Sequence, residues 1–146
     1  MIRRFFTRDR TPKELDQATV VPGADAATIL IVDDSPTEVH VLKKILEKQG
    51  FQVQVARDGQ EGVDTAKRTH PDLILMDVVM PILNGFQATR QLQNDEGTAK
   101  IPVIMVTTKD QETDRSWGKR QGASEYLVKP VAPADLLAKI KVLLNG

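Results

Sequence analysis

Ile29-Leu30-Ile31-Val32-Asp33-Asp34 is a hydrophobic run that stops abruptly in two carboxylates. Three other stretches have the same shape: Leu73-Ile74-Leu75-Met76-Asp77, Ile104-Met105-Val106-Thr107-Thr108 and Tyr126-Leu127-Val128-Lys129-Pro130. Short runs without polar alternation read as strands covered on both faces, which is the pattern of a parallel sheet. If the strands are parallel, their polar ends emerge on one edge. That edge then gathers three carboxylates, a hydroxyl and an ammonium in a shallow cleft.

Between these runs the periodicity becomes helical. Val39, Leu42, Ile45 and Leu46 recur at three- and four-residue spacing over 36–49, and Gly50 stands where a helix C-terminus wants glycine. The spacing predicts strands over 28–33, 51–56, 73–77, 101–107 and 125–128, with Pro102 admitted only among the first residues of its strand. Helices are expected over 36–49, 60–69 (after an Asp58-Gly59 turn, and ended by Pro71), 86–94, 113–121 (closed by Gly122) and 134–144. Five strands alternating with five helices make an open, doubly wound α/β sandwich. Ligands of such sheets bind beyond the carboxyl ends of the strands.

Composition narrows the function classes. Acidic and basic residues balance at 20 each among 146 residues, so nothing points to nucleic acid. Cysteine is absent, which excludes disulfides, thiolate metal sites and a cysteine nucleophile. No run approaches a membrane span or a secretory signal, so the expected compartment is the cytoplasm. Residues 1–27 differ from the rest and read as a loosely packed leader. Within it, a short helix over 12–18 is conceivable, and Arg3, Arg4, Phe5 and Phe6 form a basic, aromatic patch.

The chemistry lies at the strand ends. Asp33, Asp34 and Asp77 at close range repel one another and are desolvated by the sheet. A hard cation relieves that cost. Mg²⁺ suits such a site because it takes oxygen ligands and keeps waters, and Mn²⁺ is an acceptable substitute. Asp77 is then the candidate nucleophile of an aspartyl-phosphate site. Asp34, Asp77 and a backbone carbonyl would hold the metal, with Asp33 close behind. Thr107 and Lys129 would take the remaining phosphoryl oxygens. Plainer roles stay open: Asp34 could cap the helix near Pro36, Asp77 could cap a loop, and Thr107 could simply end a strand. A cis bond at Pro130 would aim the Lys129 main chain into the cleft, and either isomer is compatible with the sequence. His40 and His70 are expected on the surface, away from the cleft.

These pieces, in this order and on these strands, resemble a response-regulator receiver domain of the chemotaxis-regulator type. The resemblance spans 28–145 and sets the receiver unit at 28–146. It rests on Asp33-Asp34, Asp77 followed by Met80-Pro81, Gly85, Thr107 and Lys129-Pro130. It implies a flavodoxin-like strand order 2-1-3-4-5. It further implies Asp77 as phosphoacceptor, Asp34 as direct metal ligand, Asp33 as a partly water-mediated one, and the Val79 carbonyl as backbone ligand. Thr107 matches the switch hydroxyl and Tyr126 the aromatic switch, although edge packing would also explain Tyr126.

The resemblance makes a histidine kinase the phosphodonor and the face of the fourth helix, fifth strand and fifth helix the surface a protein effector reads. Trp117 on that helix is either a partner anchor or a packing residue. No enzyme activity is implied beyond self-phosphorylation and slow autodephosphorylation. Asn84 and Val79 depart from the commoner pattern, Val79 with a consequence for phosphate lifetime. No DNA-binding module is expected after Gly146, so output falls to protein contact by a monomer or weak dimer, or to drainage of phosphate from another regulator. The stretches Val78-Val79-Met80-Pro81 and 107–114 look most like members of the chemotaxis-like system of type IV pili and twitching motility. A Mg²⁺-dependent phosphohydrolase and a phosphorylation-independent scaffold are the remaining alternatives.

Overall fold

The computed structural model describes residues 27–145. The expected helix over 12–18 and the patch at Phe5 and Phe6 lie outside the described residues. Ala27, the last residue assigned to the leader, is buried in the core.

The chain runs β1 (Thr28–Val32), α1 (Pro36–Lys48), β2 (Gln52–Ala56), α2 (Gly59–Thr69), β3 (Leu73–Met76), α3 (Gly85–Gln93), β4 (Val103–Thr107), α4 (Glu112–Gln121), β5 (Glu125–Val128) and α5 (Pro133–Asn145). All pairings are parallel, in the order β2-β1-β3-β4-β5. The expected α/β fold and strand order are therefore those observed.

Alternation along β1 sends its side chains into two core clusters, one on each face of the sheet. Ile29 and Ile31 of β1 join Leu42 and Leu46 of α1 and Leu136 and Ile140 of α5. Leu30 and Val32, their neighbours in sequence, join Val63 of α2 and Ala88 and Leu92 of α3. A strand with both faces covered has no position for a polar side chain until it ends. That is why charge appears only beyond Val32 and Met76. Each fully buried Leu or Ile contributes about 1.5–3 kcal/mol, so this layer holds the sheet edge in place.

The boundaries shift by a residue or two, and each shift has a local cause. β1 and β3 close at Val32 and Met76, leaving Asp33 and Asp77 as the first loop residues. Pro102 precedes β4 rather than lying inside it, because proline has no N–H for the ladder. Asp58 and Gly59 open α2 instead of forming a separate turn, since the Asp58 carboxylate accepts the Glu61 N–H at 2.8 Å. The cap of α1 is Ser35, whose hydroxyl accepts the Glu38 N–H at 3.3 Å, and not Asp34. Gly50 and Gly122 follow their helices with φ of 95° and 112°, the left-handed geometry for which glycine was expected there. No helix among the described residues is long and apolar enough to cross a membrane.

Candidate functional site

The polar strand ends meet at the carboxyl edge of β1, β3, β4 and β5. Asp33, Asp34 and Asp77 each offer a carboxylate oxygen, and these oxygens lie within 4.8 Å of one another. Asp33 and Asp77 are buried while Asp34 is exposed. Lys129 reaches in from the end of β5. Its Nζ donates to Asp33 Oδ2 at 2.8 Å and to Asp77 Oδ2 at 3.4 Å, and lies 4.0 Å from Glu38 Oε1. The Lys129–Pro130 peptide bond is cis.

Local backbone fixes each carboxylate. Asp33 Oδ1 accepts the Ser35 N–H at 2.9 Å, and Asp77 Oδ1 accepts the Val78 N–H at 2.7 Å. Gly85 packs so close to the Asp77 carbonyl that a Cβ there would overlap it. Its N–H also donates to the Val78 carbonyl at 2.9 Å. The start of α3 therefore sits directly on the loop that carries Asp77. Asn84 and Gln87 close the helix end reciprocally, so the asparagine serves as a helix cap.

The electrostatics follow from crowding. Burial pushes the Asp77 carboxyl above the ordinary aspartate range; Lys129 opposes the rise, Asp33 adds to it, and the Thr107 hydroxyl and Val78 N–H lower it. For Lys129, burial works against the charge. The hydrogen bond to Asp33 and the charges of Asp77, Asp33 and Glu38 outweigh that and raise the ammonium above the usual lysine value. Lys129 pairs with Asp33, Asp77 and Glu38, and the Asp34 carboxylate adjoins the first two. An all-oxygen donor set with surplus negative charge can coordinate a divalent metal.

The remaining candidates lie around this centre. Thr107 is fully buried, and its hydroxyl accepts the Lys109 N–H at 3.4 Å. Tyr126 is buried with its hydroxyl donating to the Lys109 carbonyl at 2.8 Å. Burial, with Asp114 adding, pushes that phenol up to about 12. Val79 follows Asp77 by two residues with its side chain 59% exposed. Trp117 is 46% exposed, and the Arg120 guanidinium lies 5.8 Å from its ring centroid. His70 is exposed, with Nδ1 3.1 Å from the Gly97 carbonyl. His40 is also exposed, yet it lines a depression of about 220 Å³ together with Asp33, Asp34, Lys43 and Arg57. It is therefore nearer the cleft than the sequence suggested, because α1 starts right after Asp34. Sequence reasoning missed Ser35, Glu38, Lys109 and Arg115. Only Ser35 and Glu38 had a signal, the Ser-Pro-Thr-Glu capping pattern at 35–38.

Buried acids, a lysine and a hydroxyl at the carboxyl edge of a 2-1-3-4-5 sheet define an α/β signalling domain suited to phosphoryl transfer. The chain belongs to the response regulator receiver domain family, which it matches over residues 29–141. It is 61% identical over 120 residues to Protein PilH of Pseudomonas aeruginosa, covering 82% of this chain and 99% of PilH. It is 38% identical to the alkaline phosphatase synthesis transcriptional regulatory protein PhoP of Bacillus subtilis, covering 80% of this chain but only 48% of that regulator. Among solved structures, the receiver domain of sensor histidine kinase PA1611 from Pseudomonas aeruginosa superposes with a TM-score of 0.78 at 32% identity, covering 82% of this chain and 98% of that one. That structure has a magnesium ion coordinated in its active site cleft. As a receiver domain, the chain is a regulator rather than a classical catalytic enzyme.

Proposed function

We propose that Asp77 accepts a phosphoryl group from a histidine kinase and that the phosphorylated domain signals by protein contact in the cytoplasm. The observation that carries this reading is the position of the Asp77 carboxylate, buried between two further acids and Lys129 at the end of a central strand. In the transfer an Asp77 oxygen forms the new P–O bond as the P–N bond of the donor phosphohistidine breaks. Asp33, Asp34, Asp77 and the Val79 carbonyl would hold Mg²⁺, or Mn²⁺ in its place. When bound, the metal neutralises charge on the phosphoryl oxygens. Lys129 and the Thr107 hydroxyl take the other oxygens. Tyr126 follows Thr107, and the α4–β5–α5 face with Trp117 is read by the effector. Residues 28–146 form this unit as a monomer or weak dimer, preceded by the leader.

Identity of 61% to PilH across nearly the whole of that protein supports a role in a pilus-linked, chemotaxis-like pathway that controls twitching motility. The magnesium-bound relative supports the metal.

A phosphotransfer time course from the cognate kinase tests the reading. Wild type should take label in a metal-dependent manner, and Asp77→Asn should lower the rate by at least about a hundredfold, the usual scale for losing a nucleophile. Undiminished labelling of Asp77→Asn would remove Asp77 from the acceptor role. Persistent label with tighter effector binding marks an output protein. Rapid loss of label marks a phosphate sink.

A further inference from the structure

Tyr126 is the single tyrosine of the chain, and the residue is 5% exposed. Its hydroxyl is tied to the Lys109 carbonyl, and the Lys109 N–H is in turn tied to the Thr107 hydroxyl. Two α4 residues complete the seat. Arg115 places its guanidinium 5.5 Å from the ring centroid. Gly118 leaves the gap the ring fills, since a Cβ there would lie 3.0 Å from Tyr126 Cδ2 and 2.8 Å from Met105 Sδ. Arg115 and Tyr126 also line one depression of about 630 Å³ with Lys119, Glu125 and Lys139.

A hydrogen bond, the room left by a glycine and a cation over the ring are three features that favour one position of this side chain. The first reports on the Thr107 loop. The other two belong to α4. We propose that Arg115 is a positioning residue that, with the space left by Gly118, holds the Tyr126 ring inward and so sets how much of the unphosphorylated protein already presents the inward-ring form of the α4–β5–α5 face. This inference rests on the reading of Tyr126 as the switch. A partly exposed guanidinium 5.5 Å from the ring centroid shifts the inward-to-outward ratio by about two- to fivefold.

The test uses the full chain carrying 3-fluorotyrosine, which gives one ¹⁹F site because there is one tyrosine. Spectra are compared for wild type, Arg115→Ala, Arg115→Lys, Arg115→Met and Gly118→Ala, each with and without Mg²⁺ plus beryllofluoride, a phosphoryl mimic. Circular dichroism verifies the fold of each variant. Arg115→Ala should move the signal toward the solvent-exposed position, Arg115→Lys should restore most of it, and Arg115→Met should not. Gly118→Ala should move it further, and the Arg115 series stands without it.

Titration of the phenol adds a readout that simple loss of a cation cannot mimic. A ring released to solvent titrates lower, whereas removing a nearby positive charge alone raises the value. An unmoved ¹⁹F signal in Arg115→Ala overturns the proposal. So does equal restoration by methionine and lysine, which would make the effect mere coverage of the ring. If Arg115→Ala moves the ring but beryllofluoride moves it in no variant, the hold by Arg115 stands and the switch reading of Tyr126 fails.

Discussion

A carboxyl whose folded pKa lies above its unfolded one binds its proton more tightly in the folded protein. Asp77 is such a group, raised by burial and by Asp33 against the pull of Lys129. Between the two pKa values the folded state carries more protons, so this group's contribution to stability falls as pH rises. The contribution is favourable at acid pH and is lost as pH climbs from about 4 through the folded pKa. Replacing Asp77 with asparagine removes that titration. We therefore expect metal-free Asp77→Asn to gain stability relative to wild type as pH rises from 3 to 7, read as the difference between two denaturant titrations at each pH. Divalent metal should narrow the gap at neutral pH, because it binds the wild-type carboxylate and stabilises by about 2.7 kcal/mol at a hundred times its Kd. A gap independent of pH would show that the folded protein does not raise the Asp77 pKa.

The connection from β3 to α3 shows how much a short element can decide. Gly59 N–H donates to the Leu83 carbonyl at 3.1 Å and Leu83 N–H to the Pro81 carbonyl at 2.8 Å. Between them Ile82 takes φ 72° and is 80% exposed. A β-branched residue in the left-handed region costs roughly 1–2 kcal/mol. Ile82→Gly should therefore raise stability by about 1 kcal/mol, part of the gain being offset by the greater freedom of glycine when unfolded. That corresponds to about 4 °C in Tm, and a lowered Tm would place the isoleucine in a packing role instead. Elements of this size were the least legible in the sequence. Helix periodicity and glycine stops gave the helices to within about a residue or two. For the cap of α1 the sequence offers Asp34 only as a plainer alternative to a metal ligand; Ser35 holds the position, and its Pro-Thr-Glu sequel is the stronger capping signal. Nothing local marks Ile82 for a positive φ, since the loop's tertiary hydrogen bonds impose it.

At the scale of the molecule, the strand runs were legible because burial on both faces leaves no polar position before a strand ends. Their convergence followed from parallel order alone, which is why Asp33, Asp34, Asp77 and Lys129 could be brought together on paper. Contacts such as Arg115 over Tyr126, or His40 beside the acids, depend on which helix faces pack and carry no one-dimensional trace. Parallel order also means that the site is assembled from remote parts of the chain. Lys129 is 96 residues from Asp33 and 52 from Asp77. The ammonium that pairs with Asp33 and Asp77 therefore reaches them only when β5 has joined the sheet. We expect full-length Lys129→Met to take label from acetyl phosphate at least about tenfold more slowly than wild type; undiminished labelling would show that the acids suffice without the lysine. The charge balance of the cleft is thus a property of the completed sheet and of no single segment of the chain.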